Sequence, residues 1–157
     1  MSALAEQVLA AARAGGLTIA TAESCTGGLV AGALTDVPGS SDVVERGYVT
    51  YSNAAKRDML GVQAQTLETF GAVSEAVARE MVLGVLTRAP VDLAVSITGI
   101  AGPGGSEFKP EGRVCFGIAR KDGICRTETV EFGALGRDRV RRASVEHALI
   151  LLRDAAE

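Results

Sequence analysis

Residues 91–98, Val-Asp-Leu-Ala-Val-Ser-Ile-Thr, form an apolar, β-branched run that stops at a glycine-rich segment, Gly99-Ile100-Ala101-Gly102-Pro103-Gly104-Gly105. Such a run reads as a central strand closed by a loop. A strand buried on both faces needs a layer of helices above and below it. The chain is therefore expected to be an α/β protein.

The surrounding pattern agrees. Leu4, Val8, Leu9 and Ala12 recur at helical spacing over Ala3 to Ala14, and Gly15-Gly16 supplies a stop. Leu17 to Ala22 reads as a buried strand and Leu29 to Leu34 as a helix ending before Pro38-Gly39. Val43 to Tyr51 is rich in strand formers, after which Asn53 is expected to cap a helix from Ala54 to Leu60. A short helix over Thr66 to Phe70 is followed by one over Glu75 to Arg88, capped by Ser74, with Val77, Met81 and Val85 on one face. Arg113 to Arg120 and Ile124 to Phe132 form an antiparallel hairpin, and Arg137 to Asp154 a closing helix. The order α-β-α-β-α-α-β-β-β-α implies a mixed parallel and antiparallel sheet with helices on both faces.

At 157 residues the chain is long enough for one substantial core, and no linker-like tract divides it, so residues 1–157 are read as a single domain. A net charge of -3 with 4% aromatic residues offers neither a basic footprint nor stacking platforms, which argues against nucleic acid. Met1 to Gln7 lacks the basic lead of a signal peptide, and no segment approaches the ~20 apolar residues of a membrane span. A soluble, cytoplasmic protein is expected. Three cysteines cannot all pair, and in a hairpin turning at Lys121-Asp122-Gly123, Cys115 faces residue 129 or 130 rather than Cys125, so no disulfide is expected.

Candidate chemistry starts at Ala22-Glu23-Ser24-Cys25-Thr26-Gly27-Gly28. Ser24 lies where a strand ends and a helix begins, near backbone N–H groups suited to an anionic intermediate. The same residues also suit a plain helix cap, and local sequence leaves both readings open. Ala22 departs from the G-x-S-x-G elbow, and the single histidine, His147, lies within the last helix, which disfavours a Ser-His-Asp triad and a histidine metal cluster. A serine nucleophile then needs another base, and Lys56 is the best candidate: in the first turn of its helix the dipole opposes a positive charge, and burial and Arg57 push the same way. Tyr51 could place its hydroxyl between Ser24 and Lys56. Cys25 is the weaker nucleophile without an imidazole partner.

The loop after residue 98 lacks the Lys-Ser/Thr ending of a nucleoside-triphosphate P-loop, yet its glycines can present N–H groups to a phosphate. Arg137, Arg141 and Arg142 open the last helix and offer a phosphate partner, although positions 141 and 142 are about 100° apart and cannot all face one ligand.

Taken together, A-E-S-C-T-G-G at 22–28, G-Y-V-T-Y-S-N-A-A-K at 47–56, G-A-V-S at 71–74, S-I-T-G-I-A-G-P-G-G at 96–105, K-P-E-G at 109–112 and G-R-D-R-V-R at 136–141 resemble the CinA C-terminal domain family. The resemblance implies a three-layer α/β/α fold and a metal- and cofactor-independent hydrolysis of nicotinamide mononucleotide to the nicotinate nucleotide and ammonia, in pyridine nucleotide salvage. It implies Ser24 as nucleophile, Lys56 as base and Tyr51 as assistant. Cys25, Thr26, Gly27 and Gly28 would form the oxyanion turn, and Asn53, Thr98, Gly99, Ala101, Gly102, Gly105 and Arg141 would complete the substrate site, the last six on ribose or phosphate. The partner is thus a small nucleotide, with an apolar helix face or the hairpin edge available for homo-oligomer contacts. Rival readings are a nucleotide-binding module without hydrolysis and an amidase for a different small amide.

Overall fold

The computed structural model describes residues 2–106 and 108–157. In chain order the elements are α1 (Ser2–Ala14), β1 (Ile19–Glu23), α2 (Leu29–Thr35), a 3-10 turn (Ser40–Asp42), β2 (Val44–Val49), α3 (Asn53–Leu60), α4 (Ala64–Phe70), α5 (Glu75–Arg88), β3 (Leu93–Gly99), β4 (Arg113–Arg120), β5 (Cys125–Glu131) and α6 (Arg137–Ala156). They build one five-stranded sheet in the order β2-β1-β3-β4-β5. β1 runs parallel to both β2 and β3, and the β3-β4 and β4-β5 pairs are antiparallel.

Strand alternation divides the core between two helical layers. Leu93, Val95 and Ile97 point toward α1, α2 and α6, where Val8, Leu9, Leu34, Leu149 and Leu152 are buried with them. Ala20, Ala22 and Ala94 point the other way, toward Leu60 of α3 and Val77, Met81 and Val85 of α5. Small residues on that second face let α5 lie close to the sheet, and Ser96 Oγ donates to Ala78 O of α5 at 2.6 Å. Fully burying each of the large aliphatic side chains contributes ~1.5–3 kcal/mol.

The two parallel neighbours of β1 are reached by opposite routes. β1 passes through α2 to β2 on one side, and β2 returns through α3, α4 and α5, on the other face, to β3. β1 is therefore a point where the chain reverses its winding. Crevices for ligands form outside the carboxyl ends of strands at such points.

Element boundaries differ from the sequence reading where side chains or helix ends claim the backbone. β1 begins at Ile19 rather than Leu17, because Leu17 N–H donates to Ala12 O at the end of α1. β3 begins at Leu93 because Asp92 turns its carboxylate onto Thr18, accepting from both N–H (2.9 Å) and Oγ1 (3.1 Å). β2 ends at Val49, and α6 runs two residues beyond Asp154. The cap of α3 is Ser52, whose Oγ accepts from Ala55 N–H at 3.0 Å, and Asn53 is the first helical residue instead. In the hairpin Cys115 lies opposite Thr129 and Cys125 opposite Ala119, and all three cysteines are free.

Candidate active site

Ser24 is fixed by an extension of the sheet. Its N–H donates to Ile97 O of β3 at 2.9 Å, while Thr50 N–H donates to Glu23 O at 2.8 Å from the β2 side. The chain then folds back at once, with Gly27 N–H on Ser24 O and Leu29 N–H on Thr26 O, both at 3.0 Å. Gly27 and Gly28 sit at φ 59° and 105°, and the latter value in particular is one that residues with a Cβ avoid. The two glycines thus let a strand, a tight turn and a helix follow one another within six residues.

Glu23 supports this turn from beneath. Its carboxylate, 1% exposed, accepts from Val30 N–H (2.8 Å) and Ala31 N–H (3.0 Å) in the first turn of α2. Gly28, the capping residue, has no side chain to do so. The opening N–H groups of α2 expected to face an anionic intermediate are consequently occupied by Glu23. An acidic residue at the end of an otherwise apolar strand, just before a helix without a capping side chain, was the available signal.

Lys56 enters from the opposite layer as the fourth residue of α3. That helix is seated against α5 at Gly84, where an added Cβ would lie 2.1 Å from Leu60 O. Lys56 is 1% exposed, and its Nζ donates at 3.0 Å to Ser24 Oγ, at 3.1 Å to Thr50 O and at 3.3 Å to Tyr51 O. Ser24 Oγ is itself 3.5 Å from Tyr51 O. The serine and the lysine singled out in the sequence are therefore in direct contact.

Tyr51 is placed otherwise than expected. Its backbone carbonyl faces the Ser24–Lys56 pair, but its side chain is 60% exposed and the hydroxyl accepts from Arg137 Nη2 at 2.8 Å. A hydroxyl cannot lie between two atoms already at hydrogen-bond distance. The expectation of a Tyr51 hydroxyl between Ser24 and Lys56 is corrected: the peptide oxygen, not the phenol, meets the pair.

Ser24, Cys25, Tyr51, Asn53 and Lys56 line a cleft of about 330 Å³, within the size range of small-molecule sites. Thr98, Gly99, Ala101, Gly102 and Gly105 also line it, together with Ala72, Val73 and Arg137. Thr98 Oγ1 donates to Ala72 O at 2.9 Å, tying the end of β3 to the approach of α5. Thr26, Gly27, Gly28 and Arg141 are not on the cleft wall. Arg141 instead donates from Nε to Cys25 O (3.1 Å) and from Nη2 to Thr26 O (3.3 Å), so it braces the serine turn. The arginine at the cleft is Arg137, whose Nη1 donates to Gly102 O at 2.8 Å. Arg142 pairs with Asp138 on the exposed side of α6.

Chemistry separates Ser24 from its neighbour. Cys25 is 6% exposed, and burial pushes its thiol up to about 12, so it remains protonated at neutral pH. His147 is remote from the cleft: its ring packs 4.6 Å from that of Phe116 and Nε2 pairs with Glu128 at 2.6 Å. Among the described residues no group of three His, Cys, Asp or Glu side chains is arranged to hold a metal, and no helix is long and apolar enough to cross a membrane.

Comparison with known proteins gives a consistent set of relatives. A family model described as the CinA C-terminal domain matches residues 1–156. A nicotinamide-nucleotide amidohydrolase PncC of Escherichia coli strain K12 is 54% identical over 149 residues, which cover 93% of this chain and 88% of that protein. A CinA-like protein of Chlorobium phaeobacteroides is 63% identical over 124 residues, 77% of this chain, and this match spans 30% of that longer protein. The solved structure of competence/damage inducible protein CihA from Agrobacterium tumefaciens is similar with a TM-score of 0.96 at 48% identity, covering 99% of this chain and 95% of that one.

Proposed function

This chain belongs to the CinA C-terminal domain family, and from that premise we propose that it is an amidohydrolase releasing ammonia from nicotinamide mononucleotide by serine catalysis with Lys56 as base. The observation that carries the reading is the 3.0 Å contact between Lys56 Nζ and Ser24 Oγ at the wall of the cleft. The amidohydrolase name of the relative at 54% identity supports the reaction class.

In the first half-reaction Lys56 acts as the neutral amine: its two N–H bonds stay on the Thr50 and Tyr51 carbonyl oxygens, its lone pair accepts from Ser24 Oγ–H, the reverse of the donation made by the ammonium form, and Nζ takes that proton as Oγ attacks the carboxamide carbon. The Thr50 and Tyr51 carbonyl oxygens hold Nζ in place and favour the ammonium that forms. Ser24 N–H is committed to Ile97 O and Gly27 N–H to Ser24 O, so within the serine turn the tetrahedral oxyanion is assigned to the N–H of Cys25, the next residue on the cleft wall, which turns from its own thiol to the ligand. One such donor contributes ~3 kcal/mol. The Lys56 ammonium then protonates the departing nitrogen, ammonia leaves, and an acyl ester remains on Ser24. In the second half-reaction Lys56 takes a proton from water, the hydroxide adds to the ester, and the proton returns to Ser24 Oγ.

Selectivity for a nucleotide is assigned to the part of the cleft lining where Arg137 and the glycine loop meet. A guanidinium beside exposed backbone N–H groups suits a phosphate. The product, a nicotinate nucleotide, is one that pyridine nucleotide salvage consumes. Ammonia release from nicotinamide mononucleotide should fall by ~10³-fold or more in Ser24→Ala. Undiminished release in that variant would reject the nucleophile, and ligand binding without turnover in the wild type would favour a binding module.

A further inference from the structure

The K-P-E-G segment lies outside the reacting groups, yet its two charged side chains reach three separate segments around the cleft. Lys109 Nζ donates at 2.6 Å to both Phe70 O and Val73 O, in the approach to α5. Glu111 divides its carboxylate between two other segments: Oε1 accepts from Gly104 N–H at 2.6 Å and Oε2 from Gly136 N–H at 3.1 Å. Gly104 belongs to the glycine loop, and Gly136 immediately precedes Arg137 at the start of α6.

The second link between the same segments is Arg137 itself, which donates to Gly102 O. Loop and helix are thus joined by a carboxylate accepting from both and by a guanidinium donating across the gap. The loop also closes over Glu111 without slack: Gly102 has φ 92°, and a Cβ there would lie 2.5 Å from Glu111 Cδ. Charge-assisted bonds of this kind are roughly twice as strong as neutral ones, and they cannot be replaced by water without loosening both strands of the clamp.

We infer that Glu111 is a positioning residue that locks the glycine loop to the start of α6 and so sets Arg137 and the loop for the phosphate end of the substrate. This rests on the reading of the cleft as a nucleotide site. Glu111 touches neither Ser24 nor Lys56, so its loss weakens recognition of the phosphate and leaves the acyl-transfer step intact. Glu111 occupies the N–H groups of Gly104 and Gly136, and Arg137 joins Lys56 as a cationic side chain in the cleft lining.

The test is Glu111→Gln, which keeps the shape of the side chain but presents an NH₂ to one of the two N–H groups. Amide hydrogen exchange should accelerate about tenfold at Gly104 or Gly136, or both, and stay unchanged at Gly27. KM for nicotinamide mononucleotide should rise about tenfold with kcat held within about twofold, while kcat/KM for the nucleoside lacking the phosphate does not change. Unaltered exchange at both glycines, an unmoved KM, or equal losses on nucleotide and nucleoside would overturn the assignment. Should the wild type release no ammonia from the nucleotide, the amidase reading fails by itself. Calorimetric Kd values for the same two ligands then replace KM, and the same comparison decides the role of Glu111.

Discussion

Lys56 Nζ and Ser24 Oγ are 3.0 Å apart, and the two residues come from different layers of the molecule: Lys56 rides on α3, in one helical layer, and Ser24 directly follows β1 of the central sheet. Proton transfer between them needs no intermediary. Tyr51→Phe should therefore keep kcat within about tenfold of wild type, because the lost hydroxyl bonded Arg137 and not the reacting pair. Lys56→Met should lower kcat by ~10³-fold or more. Since the base must be unprotonated, wild-type kcat/KM should rise with pH until the amine has lost its proton. Steady-state ammonia release across pH checks all three, and a Tyr51→Phe variant as inactive as Lys56→Met would restore the phenol to the proton path.

Cys25 adjoins the proposed nucleophile, Ser24, without sharing its chemistry. Burial raises its thiol to about 12, so thiolate is scarce at pH 7.5 and ionisation would require pH well above the ordinary thiol range. Alkylation with iodoacetamide at pH 7.5 should mark Cys125, which is partly exposed, well before Cys25. Cys25→Ala should retain activity within about tenfold, because only its backbone N–H is asked to act. Peptide mapping of the labelled protein reads the first outcome and the ammonia assay the second. Rapid loss of activity on alkylation of Cys25 would contradict the assignment of a protonated thiol.

Glu23 makes the serine turn depend on a buried carboxylate. Glu23→Ala would leave the N–H groups of Val30 and Ala31 without their acceptor and open a void beside the sheet. The expected cost is ~1–3 kcal/mol per orphaned polar group, less where water enters. Urea unfolding should show a lower midpoint with an unchanged m-value. A midpoint equal to wild type would mean that α2 finds its N-terminal partners elsewhere.

The order of elements was legible because runs such as 93–97 are short, rich in β-branched residues and closed by glycines, which favours strands, and these are buried between two helical layers. Ser24 and Lys56 were legible for a chemical reason: without a histidine near it, a strand-end serine needs an amine. What sequence could not resolve was orientation. Tyr51 offers both a phenol and a peptide oxygen, and only the turn into α3 decides that the peptide oxygen faces Lys56. Arg137 and Arg141 are four residues apart and share one face of α6, so spacing treats them alike. Their separation of about 6 Å along the axis is enough to put one at the cleft and the other behind the serine turn. Glu111 was hidden for the same reason, since both its partners are distant backbone groups.

The two arginines should accordingly fail in different ways. Arg141 holds the carbonyl of Cys25 and shares that of Thr26 with Leu29 N–H, next to Ser24 O, which Gly27 N–H fixes. Removing it lets the Cys25–Thr26 peptide rotate away from its bound direction and loosens the turn that aims Cys25 N–H at the oxyanion. Arg141→Met should lower kcat about 10–100-fold and leave KM for the nucleotide near wild type, as expected for an interaction realised in the transition state. Arg137→Met removes a guanidinium from the cleft lining, so KM for the nucleotide should rise and kcat should hold, with the nucleoside unaffected. Paired kinetics on the two substrates distinguish these outcomes. If Arg141→Met instead raised KM for the nucleotide alone, Arg141 would have to swing from the serine turn into the cleft when substrate binds, and its bonds to Cys25 and Thr26 would belong to the empty enzyme only.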